Sequence, residues 1–311
     1  MSESFNPPQS ELPPVPQPEI PGERTESVRV NGLRILCRHW GDPRAPAIVM
    51  LHGLRGYSGT WRALAAVLYN DYRVIAFDQR GRGESDWDPD LNYYTDAYLA
   101  DLEGVVEHFA LERFALLGHS MGGTTAYAYA AKHPQRLAAL LIEDIAPGSS
   151  VEGPGARRIV AEMATLPESF RSWADARDYW RAKRPTLNAE ALEQRLAESM
   201  RARCDGEITW RYDARGIRKT RMHPDPARVV DLWPIVVCIT VQTLIIRGEK
   251  SDFCPLSTVE RMCMMNDHIS SVTVPNASHY AHDDAPNFFA NQVREYLRNC
   301  GWSPERLPTP N

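Results

Sequence analysis

The chain has 311 residues, 43% of them hydrophobic and 24% charged, enough to build one large globular domain or two linked ones. A formal charge of −5 has the wrong sign for a general nucleic-acid partner. No apolar run reaches the ~18–20 residues of a bilayer span, and the first thirty residues lack the basic start and apolar core of a secretory signal.

Residues 1–23 are proline-rich and almost free of large apolar side chains, so they cannot bury enough surface to offset ordering; they read as a disordered tail. Pro13-x-x-Pro16 has the spacing of a proline-domain ligand, an inert tail being the simpler reading. From residue 24 the pattern changes. Segments 27–30 and 33–40, joined by Asn31-Gly32, predict an antiparallel hairpin. Short apolar runs follow at 47–51, 74–77, 114–117, 137–142, 243–246 and 272–274, with helical stretches at 60–69, 95–110, 121–132 and 285–298. Near-continuous apolar strands between helices indicate a mainly parallel sheet covered on both faces, whose ligands gather at the carboxyl ends of the strands.

Residues 148–235 interrupt the alternation with helical patterns at 168–183 and 188–204 and with Trp173, Trp180, Trp210 and Trp233. The expectation is a helical cap at 148–235 set into a body formed by 24–147 and 236–300, with 301–311 as a C-terminal tail. The tryptophans either hold the cap together or face the cleft. Within the cap, Arg211, Arg215, Arg218, Lys219 and Arg221 stand against a single Asp213. A solvated face is the plainer explanation; a contact with an anionic substrate is the sharper one.

The chemistry centres on Gly118-His119-Ser120-Met121-Gly122, which lies between an apolar strand and a small-residue helix. In that setting Gly-x-Ser-x-Gly forms a tight turn that lifts a serine hydroxyl above the sheet, with glycines leaving room for the strained backbone. Such a hydroxyl needs a base and a group to orient that base. His279 follows the strand at 272–274, and Asp252 follows the strand at 243–246, both at carboxyl ends. The order Ser120, Asp252, His279 is nucleophile, acid, base. Asp144, at the end of the strand at 137–142, is the alternative acid; the resemblance described below implies Asp252 instead. His282 reads as a surface histidine, His119 as a packed one, and His52 as a brace for the loop after residue 51. Backbone N–H groups of Leu54 and Met121 are the expected oxyanion donors.

Cys37, Cys204, Cys238, Cys254, Cys263 and Cys300 show no Cys-x-x-Cys spacing, which argues against zinc and a disulfide framework and for reduced thiols in a cytoplasm. Cys254 reads as a buried thiol rather than a second nucleophile. No metal or other cofactor is required by these residues.

The His52-Gly53 pair, Asp78-Gln79-Arg80-Gly81-Arg82-Gly83-Glu84-Ser85, the turn 118–123, Arg247-Gly248-Glu249-Lys250-Ser251-Asp252 and the region 279–286 together resemble the α/β-hydrolase superfamily, in particular its capped, lipase- and esterase-like members. The resemblance covers roughly residues 25–300. It implies an α/β-hydrolase fold: a mostly parallel eight-stranded sheet flanked by helices, with a helical cap insertion. It also implies cleavage of a small-molecule carboxylic ester, lactone or thioester, with carbon–carbon bond hydrolysis or slow-turnover ligand reception as alternatives. Ser278 before the histidine and Gln242 before the strand at 243–246 depart from the family pattern.

Overall fold

The structure, a computed structural model, describes residues 13–14, 20–149, 153–185 and 187–304. Most of the expected proline-rich tail, including Pro16, and residues 305–311 lie outside the described residues. The body opens with the predicted hairpin, β1 (Arg24–Val30) and β2 (Leu33–Trp40), whose antiparallel register pairs Val30 with Leu33. Asn31 and Gly32 take φ of 49° and 81°, the positive values a two-residue type I′ turn requires.

Strand β3 (Ala47–Leu51), helix α1 (Arg62–Leu68), β4 (Arg73–Phe77), α2 (Thr95–His108), β5 (Phe114–His119), α3 (Met121–Lys132) and β6 (Leu137–Glu143) then alternate. An insertion follows: α4 (Gly153–Ala164), β7 (Ser169–Phe170), α5 (Trp173–Lys183), α6 (Ala189–Ser199), β8 (Met200–Ala202), β9 (Ile208–Trp210) and α7 (Ala214–Met222). The chain returns through α8 (Leu232–Cys238), β10 (Thr243–Gly248), α9 (Leu256–Met265), β11 (Ile269–Val274), α10 (Ala281–Asp284) and α11 (Pro286–Asn299). The eight-stranded sheet runs β1-β2-β4-β3-β5-β6-β10-β11, antiparallel at the hairpin end and parallel from β4 onward. This is the fold the resemblance implies.

Residue alternation along each strand divides the body core in two. In β3, Val49 and Leu51 pack on one face while Ile48 and Met50 pack on the other; in β5, Phe114 and Leu116 oppose Ala115 and Leu117. Each fully buried aliphatic side chain contributes about 1.5–3 kcal/mol, which is why both faces need helical cover. A third apolar cluster lies in the insertion, around Trp180, Leu196, Trp210 and Ile217, and reaches Tyr98 and Met121 of the body.

Several boundaries differ from expectation. Ile20 packs against the core, and the Glu23 carboxylate, with its side chain fully buried, pairs with Arg38 and Arg62, so the folded part begins inside the segment expected to be tail. Trp302 is buried beyond residue 300, its indole N–H donating to the Ala47 carbonyl. Helix α5 starts late because the Ser172 side chain caps it, accepting from the Asp175 N–H. The pattern at 188–204 splits at Met200, where the chain becomes β8 of a small β7-β9-β8 sheet. Strands of two or three residues are too short for a period to show in sequence. Among the described residues no helix is long and apolar enough to cross a membrane.

Candidate functional site

Strand β5 delivers its chain directly into α3 through Ser120, whose backbone adopts φ 53° and ψ −115°. That left-handed conformation is costly for a residue with a side chain, and its neighbours show why they must be glycine. A Cβ at Gly118 would lie 2.4 Å from the Gly122 carbonyl oxygen, and one at Gly122 would lie 2.5 Å from that of Leu51. The strain turns Ser120 toward His279, which follows β11. Their Oγ and Nε2 atoms are 3.0 Å apart.

Behind the ring, His279 Nδ1 lies 2.6 Å from Asp144 Oδ2. The Asp144 side chain is fully buried. It also accepts from the Gly248 N–H at 2.9 Å and from the Ser251 hydroxyl, so two further donors hold the carboxylate in position. An ionised carboxylate can only accept; Nδ1 therefore carries the proton, and Nε2 is left to accept from the Ser120 hydroxyl. The Phe253 ring stacks on the imidazole, their centres 4.2 Å apart.

Asp252, the acid preferred from sequence, is elsewhere. Its carboxylate makes a two-point contact with Arg158 of α4, at 2.7 and 3.0 Å, and keeps 30% of its side-chain surface exposed. Burial raises the Asp252 pKa, but Arg158 outweighs it and holds the group below the usual carboxylate range. The physical reason for the exchange is strand adjacency. Strands β6 and β10 are paired neighbours, so the residues after both approach the same histidine, and loop packing decides between them.

His282 is also not at the surface. It is 6% exposed, and its backbone N–H and Nδ1 both meet Glu143, at 3.0 and 2.8 Å. Burial lowers its pKa, but Glu143 and Asp283 outweigh that, and the net shift is upward. His119 is packed as expected, its Nε2 donating to the His279 carbonyl at 2.9 Å. Burial, then His279 and His282, push its pKa well below the usual value, so it stays neutral. His119, Glu143 and His282 bring ligand atoms within 4.8 Å of one another, a set of metal-binding types that sequence spacing did not reveal. Most of their inward nitrogens and oxygens already serve the hydrogen bonds just described.

His52 braces the loop after β3: the Gln79 N–H donates to its Nε2 at 3.0 Å, and its Nδ1 meets the Gly53 carbonyl at 2.8 Å. Burial lowers the His52 pKa to about 4, so it remains neutral. Leu54 and Met121 flank Ser120 on a cavity of about 310 Å³. Met121 is the first residue of α3, so its N–H has no carbonyl a turn earlier within the helix. Cys254 is buried, and desolvation with the nearby Asp144 charge keeps its thiol protonated. All six cysteines are free thiols.

The same cavity carries basic groups that no motif announced. Arg55 pairs with Glu162, which also meets Arg158 at 3.1 Å, so the loop after β3, helix α4 and the loop after β10 are joined in one line of charges. Of the 211–221 cluster only Arg221 lines this cavity. Arg211 pairs with Glu84, while Arg215, Arg218 and Lys219 line a separate depression beside Trp87. Trp180 lines the cavity, Trp210 is buried in the insertion core, and Trp233 packs against the body core.

Comparison with known proteins agrees with this architecture. The profile of the alpha/beta hydrolase fold matches residues 46–286. A putative 2-succinyl-6-hydroxy-2,4-cyclohexadiene-1-carboxylate synthase of Bacillus subtilis is 30% identical over 273 residues, covering 86% of this chain and 96% of the relative. A 3-hydroxybutyrate-oligomer hydrolase of Cupriavidus necator is 29% identical over 269 residues, covering 83% and 89%. Among solved structures, E-2-(acetamidomethylene)succinate hydrolase superposes with a TM-score of 0.79 at 22% identity, over 89% of this chain and 99% of that one, a likeness of fold.

Proposed function

Because the chain belongs to the alpha/beta hydrolase family, we propose that it is a serine hydrolase cutting a carboxylic ester, lactone or thioester through an acyl-enzyme, with Ser120, His279 and Asp144 as its triad. The observation that carries this reading is the unbroken row from Ser120 Oγ through the imidazole to the Asp144 carboxylate. His279 takes the hydroxyl proton as Ser120 attacks the carbonyl and then gives it to the leaving alcohol or thiol. Asp144 fixes the tautomer and stabilises the imidazolium. The N–H groups of Leu54 and Met121 hold the tetrahedral oxyanion; losing one such donor costs roughly 10²–10³-fold in rate. Water, activated by His279, then releases the acid. The insertion acts as a cap whose underside shapes the acyl and leaving-group pockets. Asp252 takes no part in proton transfer and serves the cap instead.

The relative named a 3-hydroxybutyrate-oligomer hydrolase supports a hydrolytic reading, while the synthase beside it carries a different activity in its name. The test is turnover of p-nitrophenyl butyrate by the native chain and by Ser120→Ala, with hydroxylamine added to trap an acyl group. Hydrolysis abolished in the variant, with trapping in the native protein, is expected. An undiminished rate in Ser120→Ala removes the proposal.

A further inference from the structure

Two cationic side chains on the Ser120 cavity each keep a buried nitrogen without an acceptor among the described residues. Arg184, at the end of α5, and Arg195, within α6, are 8% and 7% exposed. Both line the Ser120 cavity. They share one carboxylate, Asp283, whose Oδ2 lies 3.3 Å from Arg184 Nη2 and 2.7 Å from Arg195 Nη2. The other oxygen of Asp283 faces His282 Nε2 at 3.6 Å. Among the described residues, Arg184 Nη1 and Arg195 Nε are buried and find no acceptor. Buried donors without an acceptor, on two guanidinium groups that contact a single carboxylate, are unfavourable until a further acceptor joins them. Burial and then Arg195 lower the Arg184 pKa, whereas at Arg195 burial is outweighed by Asp283 and its neighbours and the net shift is upward.

The placement relative to the reacting groups is direct. The Arg184 guanidinium lies 3.6 Å from the centre of the Tyr280 ring, and that ring is 5.1 Å from the His279 imidazole. Tyr280 is the partition between the basic pair and the base. A planar guanidinium stacked on an aromatic ring presents its N–H edge in a fixed direction, the arrangement suited to a carboxylate.

We propose that Arg184 and Arg195 form a carboxylate subsite, and that the substrate carries a free carboxylate a short chain away from the bond that is cut. Asp283 limits this subsite, because its carboxylate competes with the incoming anion for both guanidinium groups. The proposal takes the nature of the cleaved bond from the hydrolase reading, but the anion site stands on its own geometry.

Monomethyl glutarate and dimethyl glutarate, followed by pH-stat titration, differ only in whether the distal carboxyl is free. With charged hydrogen bonds at stake, kcat/KM for the half-ester is expected to exceed that for the diester by about 10- to 100-fold. Arg184→Gln and Arg195→Gln are expected to bring that ratio down toward one, and Asp283→Asn to raise it. Arg215→Gln, on the separate depression, leaves it unchanged. A purely structural role would move the Arg184 and Asp283 variants in the same direction, and that result overturns the proposal. Calorimetric titration of Ser120→Ala with glutarate separates the two ideas. Saturable binding that disappears on adding Arg184→Gln upholds the subsite even if neither ester is cut. Ester turnover without such binding sinks the subsite and leaves the hydrolase reading standing.

Discussion

Replacing Asp144 by asparagine, alongside the same change at Asp252, decides which carboxylate serves His279. In the native protein Asp144 Oδ1 accepts from the Gly248 N–H while Oδ2 faces His279 Nδ1. An asparagine must keep its oxygen toward Gly248, so its NH2 group turns to the imidazole. Nδ1 can then no longer donate; the ring proton moves to Nε2, the atom that has to accept from Ser120. The comparable change in a serine protease lowers kcat about 10⁴-fold, which at 1.36 kcal/mol per tenfold is about 5–6 kcal/mol of barrier. Asp252→Asn loses only an ion pair with Arg158 whose partners are 30% and 38% exposed, about 1 kcal/mol of stability or less. Its kcat should stay within about tenfold of native, a shift of no more than ~1.4 kcal/mol. Saturation kinetics with p-nitrophenyl butyrate measure both, and thermal melts verify that each variant is folded. A collapse of kcat in Asp252→Asn with Asp144→Asn nearly intact would refute the reasoning from geometry.

Gly118→Ala places a Cβ 2.4 Å from a backbone oxygen that cannot yield, so we expect a loss of about 1–3 kcal/mol in urea unfolding together with a large fall in kcat. Native stability with native activity contradicts the crowding argument. Burial opposes ionisation of Asp283, but His282, Arg195 and Arg184 outweigh it and hold its pKa at about 2, below the ~3.9 of an unfolded aspartate. The stabilisation is thus complete above about pH 4 and is lost as pH falls toward 2. The stability gap between native protein and Asp283→Asn should accordingly narrow by up to about 2 kcal/mol from pH 5 to pH 2.5, and a gap that stays constant counts against the pairing.

Much of the body was legible because its signals are local. The Asn31-Gly32 turn, the period-two faces of β3 and β5 and the glycines around Ser120 each state their geometry within a few residues. The position of His279 just after β11 was legible for the same reason. Features that depend on distant partners were not legible. Asp144 and Asp252 both follow strands that end beside the histidine; what separates them is that Ser251, not Asp252, turns inward to Asp144 while Asp252 meets an arginine of the insertion. His282 was misread because its partner Glu143 lies 139 positions away, and a buried ion pair of that kind leaves no periodic trace. Glu23 and Trp302 were assigned to tails by composition, although single anchoring contacts draw each into the body. Arg184 and Arg195 sit on different helices and converge only through Asp283.

If His279 is served from β6, as proposed, the turn following β10 is free for a different duty. Asp252 ties that turn to α4 twice, through its carboxylate on Arg158 and through its main-chain oxygen, which accepts from the Gly155 N–H. Arg158 passes the tether to Glu162, and Glu162 to Arg55, whose own loop borders Ser120. On the proposed triad, mooring the insertion and orienting the imidazole fall to separate acids, so a change at Asp252 can remodel the insertion without disturbing Asp144.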